Sequence, residues 1–339
     1  MKDTRSSTAT RPSDAAAEYT RSAGRSVPAH YGDPAAEYAA LKGGAATVER
    51  PQTVLRLTGK DPVGMLDAIL TNDVPKESNR GVYALLLDPK GRIQADLRVL
   101  KGGKDVLILV EPEGTAAAKE ILGRYAPFSR VKLDEPDDWG VLGLYGPQAG
   151  ELLGNPKLAE HETSEIILNG ATLLNVGVAA PVPGYDLIGP AQALRGAREY
   201  LIDHGAAPAG INAHETIRVE TATPRFGSDI TPKNFPAEAG ILDRAVSFAK
   251  GCYPGQETVA RMHYRGHPNR TLYRLKAEGK PPSPGSPILQ NEKQVGRVTS
   301  VAPLQVEGKT LALGYLHRNA DMESLLTADD ATVVPLSPS

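Results

Sequence analysis

The chain has 339 residues, with 38 lysines and arginines against 40 aspartates and glutamates. That length suggests about two domains and material for a sizeable core, and the charge balance excludes a protein that coats nucleic acid or anionic lipid, leaving room only for a local basic patch. A single cysteine excludes an intramolecular disulfide and points to a reducing, cytoplasmic compartment, while the longest apolar runs, VYALLL and DVLILV, fall far short of the ~20 residues that span a bilayer.

Residues 1–28 are polar, lack the apolar core of a signal peptide and are expected to form a disordered tail. VLRLTGKDPVGMLDAILTNDV predicts a strand, a turn and a helix with Asp61 at the N-cap and Pro62 first inside. Val63, Leu66, Ile69 and Leu70 then recur at helical spacing. GVYALLLDPKGRIQADLRVLKGGKDVLILV holds two turn signals between apolar runs and predicts a three-stranded antiparallel meander. In its middle strand Ile93, Ala95, Leu97 and Val99 alternate with Gln94, Asp96 and Arg98, which puts Asp96 on the polar face.

PEGTAAAKEILGRYA predicts a helix and VKLDE a strand. The pattern then partly recurs through WGVLGLYGPQAGELLG, EIILNGATLLNVG, GYDLIGP and AQALRGAREYLIDHGA. Two α+β units over residues 29–267 follow, and the short Gly- and Pro-punctuated strands of 268–339 predict a small β-barrel.

The only cysteine lies in AKGCYPGQETVARMHYRG, residues 249–266. Tyr253 precedes proline and should be extended, Pro254-Gly255 suits a type II turn, and QETVARMHYR can open a helix in which Glu257 and Arg261 pair. Lys250 and the helix end would stabilise a Cys252 thiolate. The competing reading is that Cys252 is an inert core filler. His263 and His267 add too few ligands for zinc, and Gly266 breaks their helical spacing, so no metal is expected.

KGCYPGQE resembles the K-G-C-[FY]-x-G-Q-E signature of the YgfZ family, folate-binding relatives of the glycine cleavage aminomethyltransferase. LTGKDPVGMLDAILTNDV, LLLDPKGRIQADLRVL, GYDLIGP and IRVETATPRFGSDITPKNFPAEAGI carry the resemblance over about residues 50–320. It implies an α+β fold with two intertwined GcvT-like subdomains around a central channel, a C-terminal β-barrel, and tetrahydrofolate or a one-carbon derivative as cofactor. It further implies a role in iron–sulfur cluster assembly or repair, with iron–sulfur enzymes or assembly proteins as partners and tRNA modification affected only indirectly.

On this resemblance Cys252 is the functional thiol, Lys250 its electrostatic partner, and Glu220 the pterin anchor, a carboxylate being able to accept two adjacent N–H groups. The competing reading of Glu220 is an exposed strand-end carboxylate, and Ala222 replaces the family's glycine. Tyr253, Gln256 and Glu257 belong to the signature and are taken with the folate site. Asp96 is the acid that remains where aminomethyltransferases carry a pair, Ala95 replacing the other; it can also be a surface carboxylate paired with Arg98. Asn72 and Asp73 either line the channel or cap a helix. Arg225 and Arg130 are candidates for the glutamate tail of folate. Two rivals stand: a folate-dependent aminomethyltransferase or demethylase, against which Ala95 argues, and a binding module without ligand chemistry.

Overall fold

A computed structural model describes residues 17–22, 25–76 and 78–338. The end of the expected tail is ordered: β1 (Glu18–Ser22) pairs antiparallel with β2 (Arg25–His30). Its polar composition concealed the hairpin, because Val27 supplies the inward anchor, against Leu41, Val48 and Ile211, while Arg25 donates to the Gln52 carbonyl at 3.1 Å. Residues 1–16 of that expected tail lie outside the described residues.

Helix α1 (Pro34–Gly43), β3 (Ala46–Arg50) and β4 (Thr53–Gly59) follow, then α2 (Pro62–Ile69). As predicted, Asp61 caps α2, accepting the Gly64 N–H at 2.8 Å, with Pro62 in the first turn. Leu66, Ile69 and Leu70 are buried and Val63 packs beside them. β5 (Val82–Leu87), β6 (Ile93–Gly102) and β7 (Asp105–Val110) form the expected meander. With α3 (Pro112–Tyr125) and β8 (Val131–Asp134) they complete a five-stranded sheet in the order β5-β6-β7-β4-β8. Ala95, Leu97 and Val99 seal one face against Leu66, Ala118 and Leu122 of the helices, whereas a bulge opposite Leu86–Leu87 breaks the predicted alternation and turns Ile93 to the other face, against Leu85, Leu87 and Phe226. Asp96 and Arg98 point to the other, while Gln94, at the bulge, lies beside Ile69, Leu86 and Ile121 on the helix side instead of the expected polar face.

The second unit comprises β9 (Trp139–Tyr145), α4 (Ala149–Leu152), β10 (Thr163–Leu168), β11 (Ala171–Val178), β12 (Gly184–Pro190), α5 (Ala191–Asp203), β13 (Ala207–Ala209) and α6 (Ile211–Glu220). Its sheet runs β10-β11-β12-β9-β3-β13, with β13 parallel to β3, so an early strand is donated across and the units interlock. Leu194, Ala197 and Leu201 of α5 cover the outer face. The two inner faces meet through Val54, Leu100, Leu107 and Leu109 against Val141, Val176 and Ile188.

After α7 (Leu242–Ala245) and α8 (Gln256–Arg265), strands β14 (Arg270–Glu278), β15 (Pro287–Gln290), β16 (Lys293–Val301), β17 (Thr310–His317), β18 (Leu326–Ala328) and β19 (Ala331–Pro338) close a barrel. The α+β class with a C-terminal barrel is therefore as expected. Val219 of α6 packs on Leu272, Leu311 and Leu313 of the barrel. Among the described residues no helix is long and apolar enough to cross a membrane.

Just past α6, Ala222 adopts φ 54°, the left-handed region. An L-residue there costs roughly 1–2 kcal/mol relative to glycine, partly offset by the extra freedom glycine gives the unfolded chain. Ala222→Gly should accordingly stabilise the protein by about 0.5–1 kcal/mol in urea unfolding. A destabilised variant would mean the neighbouring packing, not the backbone, sets this position.

Candidate functional site

The polar residues of the two inner faces surround a cavity of about 110 Å³. One sheet supplies Tyr83, Asp96 and Arg98; the other supplies Arg50, Tyr145 and Asp186. His214 and Arg218 of α6 and the segment Thr223–Arg225 close it. Alternation along β6 is what delivers Asp96 here. The Tyr83 hydroxyl donates to Asp96 Oδ2 at 3.0 Å, and burial together with the Glu111 carboxylate pushes the Asp96 pKa up to about 7 against that hydrogen bond. At neutral pH this carboxyl is thus poised between acid and base, as functional carboxyls often are. Ala95 lies on the opposite face, fully buried among Leu66, Leu97 and Ala118. An acid at position 95 would point into that apolar layer, so its replacement removes nothing from the cavity.

A chain of contacts runs round the wall. The Tyr145 hydroxyl and Arg98 Nη1 both donate to Asp186, a fully buried carboxylate, and Arg98 Nε donates to His161 Nδ1 at 3.4 Å. Arg50 Nη1 lies against the ring nitrogens of His214, and its guanidinium stands 6.0 Å from the Tyr145 ring centre. Burial and the neighbouring Arg50, Arg218 and Arg225 hold His214 neutral, well below its usual range. Arg218 bonds Asp229 at 2.7 Å, Glu215 at 3.0 Å and the barrel's Ser300 at 2.9 Å, tying the cavity wall to the barrel.

Of the residues singled out from sequence, Asp96 and Arg225 line the cavity. Arg225 donates through Nη2 to Ser228 at 2.8 Å. Glu220 is elsewhere: it ends helix α6 rather than a strand, and its carboxylate accepts from Tyr38 at 2.9 Å and from Lys42 at 2.9 Å. Asp96 does not pair with Arg98, whose partner is Asp186. Asn72 bridges the carbonyls of Tyr83 and Arg244, both at 3.0 Å, one layer behind the wall, while Asp73 is exposed. Arg130, in a left-handed conformation after the turn Ala126–Ser129, is not part of the cavity.

The cysteine motif forms a separate surface feature. Cys252 is exposed. Pro254 and Gly255 make the predicted type II turn: Gly255 has φ 82° and ψ −1°, and Gln256 N–H donates to the Tyr253 carbonyl at 3.3 Å. A side chain at Gly255 would meet the Asp88 carbonyl at 2.6 Å, so the turn is wedged against the β5–β6 connection. Helix α8 begins at Gln256, and no ion pair joins the exposed Glu257 to Arg261 among the described residues. His263 stacks on Phe248 with ring centres 4.1 Å apart.

Lys250 is engaged by the end of α2. Its ammonium donates to the carbonyls of Asp67 at 2.5 Å, Leu70 at 2.8 Å and Asn72 at 3.0 Å, with Asp67 Oδ1 at 3.3 Å. Tyr253 is buried in the same apolar cluster as Phe226 and Ile241, and Ile241 lines the cavity. The motif and the cavity therefore share a wall without sharing a space.

Arg50, Tyr145, Asp186 and His214 escaped the sequence reading, and Arg98 entered it only as a strand neighbour of Asp96. The available cue was an ionisable residue inside an apolar strand, as with Asp186 in GYDLIGP.

Two family models match in tandem: the GCVT N-terminal domain over residues 10–177 and the CAF17 C-terminal beta-barrel domain over residues 270–339. The chain is 28% identical over 272 residues to an aminomethyltransferase of Thermosynechococcus vestitus, covering 77% of this chain and 74% of that protein. It is also 28% identical over 305 residues to the tRNA-modifying protein YgfZ of Pectobacterium atrosepticum, covering 83% and 87%. Among solved structures, the glycine cleavage system aminomethyltransferase T of Bartonella henselae superposes with a TM-score of 0.83 at 20% identity, over 95% of this chain and 93% of that one, a likeness of fold.

Proposed function

Since the chain belongs to the YgfZ family of GcvT-like proteins, we propose that it binds a reduced folate in the central cavity and, through Cys252, supports iron–sulfur enzymes, including those that modify tRNA. The observation that supports this reading is Asp96. It is a cavity-facing carboxyl with a pKa of about 7, and ionised it can accept the adjacent N–H and NH2 of a pterin. Tyr83 would orient it. A cavity of about 110 Å³ is smaller than the few hundred Å³ usual for ligands of folate's size. Binding therefore requires the partly exposed guanidinium groups of Arg225 and Arg244 to swing outward. A bound reduced folate would supply a one-carbon acceptor or donor nitrogen.

Cys252 contributes an exposed thiol on a loop held from beneath by Lys250, Tyr253 and Gly255. The geometry suits presentation to a partner protein, and a tRNA effect would pass through such a client enzyme. A second reading, one-carbon transfer by the chain itself, is favoured by the retention of Asp96 and by Ala95 facing away from the cavity.

In cells lacking this protein, the wild type should restore an iron–sulfur-dependent tRNA modification, while Cys252→Ser and Asp96→Asn, expressed at equal levels, should each fail. Full restoration by Cys252→Ser would remove the thiol from the function. Steady formation of methylene-tetrahydrofolate by the purified protein would favour the transferase reading.

A further inference from the structure

The cavity holds polar groups that its own protein leaves without partners. Arg50 Nε and Arg98 Nη2 are buried, and neither has an acceptor among the described residues. Arg98 has Asp186; Arg50 has no carboxylate within ion-pairing distance among the described residues, its charge being balanced only from farther off by Glu111, Asp186 and Glu215, and its closest polar neighbour is a neutral imidazole. A buried N–H without an acceptor is costly. On the acceptor side, Gln52 donates its amide to Glu111 at 2.8 Å, which fixes the amide orientation and leaves Gln52 Oε1 buried without a donor. Asp96 and Glu111 lie on the same wall. Two orphaned donors that suit an anion and one orphaned acceptor that suits an N–H thus occur together in a space of about 110 Å³.

We propose that the central cavity contains a subsite for a small α-amino acid, its carboxylate on Arg50 and Arg98 and its ammonium on Gln52 and the adjacent acids. A neutral pterin edge satisfies the acceptors but leaves the free N–H groups of Arg50 and Arg98 without an acceptor; a zwitterion of glycine size satisfies both. The subsite rests on reading the cavity as the ligand site, yet it does not need folate to be the other ligand. The same carboxylate chemistry could come from the glutamate end of a folate, and the test separates the two sources.

The experiment is calorimetric titration of the full chain, in the absence of folate, with glycine, glycinamide, acetate and p-aminobenzoylglutamate. Saturable glycine binding is expected, with glycinamide and acetate at least tenfold weaker. Arg50→Gln, whose folding is checked by its urea unfolding midpoint, is expected to weaken glycine at least tenfold. As a second variant, Gln52→Met should bring glycine down to the level of acetate and leave acetate unchanged. No saturable glycine binding, or glycine binding indifferent to both variants, would overturn the proposal. So would p-aminobenzoylglutamate binding tighter than glycine and lost in Arg50→Gln, which would give the arginines to a folate tail. Failure of tetrahydrofolate to bind, with glycine binding intact, would count against the folate reading alone.

Discussion

Asp96→Asn is expected to make the protein more stable at pH 8 while weakening its proposed ligand binding at least tenfold. A carboxyl whose folded pKa is about 7, raised from the usual 3.8, binds its proton more tightly in the folded state than in the unfolded one. It therefore costs nothing below about pH 4, and the penalty grows as pH rises through 7. Three pKa units correspond to an upper value of about 4 kcal/mol, and the cavity's own polarity reduces this to the order of 2–3 kcal/mol. Asparagine keeps the shape and still accepts the Tyr83 hydroxyl but carries no charge to bury. Urea unfolding of both proteins at pH 4.5 and pH 8 should show the variant more stable at pH 8, with the difference reduced to about 1 kcal/mol at pH 4.5. A variant less stable at pH 8, or equally shifted at both, would mean that Asp96 is not held up in pKa. Such a group is retained at a cost in stability, which is the signature expected of a functional residue.

The second large effect concerns Lys250. Its ammonium is the common donor to three carbonyls at the end of α2, and its side chain is 2% exposed. Burial lowers its pKa against the raising influence of Asp67, so the charge is expensive to hold and is spent on these bonds. Lys250→Met would leave the carbonyls of Asp67, Leu70 and Asn72 without their donor. At about 1–3 kcal/mol per unsatisfied group, offset by the desolvation no longer required, a loss of about 3 kcal/mol is expected. The melting temperature should fall by several degrees. The rate of Cys252 alkylation by iodoacetamide at pH 7 should barely change, because the ammonium is committed to oxygen ligands. Unchanged stability with alkylation slowed at least tenfold would instead restore Lys250 as the partner of the thiol.

These two residues illustrate what sequence reasoning reached. Local rules carried over directly where the physics is local. The Asp61 cap, the alternation of β6 from Ala95 to Val99 and the type II turn at Tyr253–Gln256 each depend on a few adjacent residues, whereas the bulge that displaces Ile93 and Gln94 from that alternation left no mark in the pattern. The barrel was legible because its strands are consecutive and punctuated by glycine and proline. Lys250 was recognised as important for its neighbours in sequence, but its oxygen ligands come from about 180 residues away, where no pattern announces them. Glu220 was misplaced on a strand because INAHETIRVE has weak helical amphipathicity. The helix buries most of its sides, against β3 on one flank and the barrel on another. The cavity wall could not be assembled from sequence because β3 and β9 lie far apart in the chain and become neighbours only in the folded sheet. The same holds for the hairpin at residues 18–30, whose single inward valine is too little apolar signal to recognise.

The central claim is that the cavity between the two sheets binds a reduced folate through Asp96. Its most direct test is a calorimetric titration of the full chain with tetrahydrofolate at pH 6 and pH 8, in parallel with Asp96→Asn. The expected result is one saturable site, weaker at pH 6 where Asp96 is mostly protonated, and weakened at least tenfold by the substitution at pH 8. Binding of equal strength in wild type and Asp96→Asn, or none at millimolar tetrahydrofolate, would contradict it.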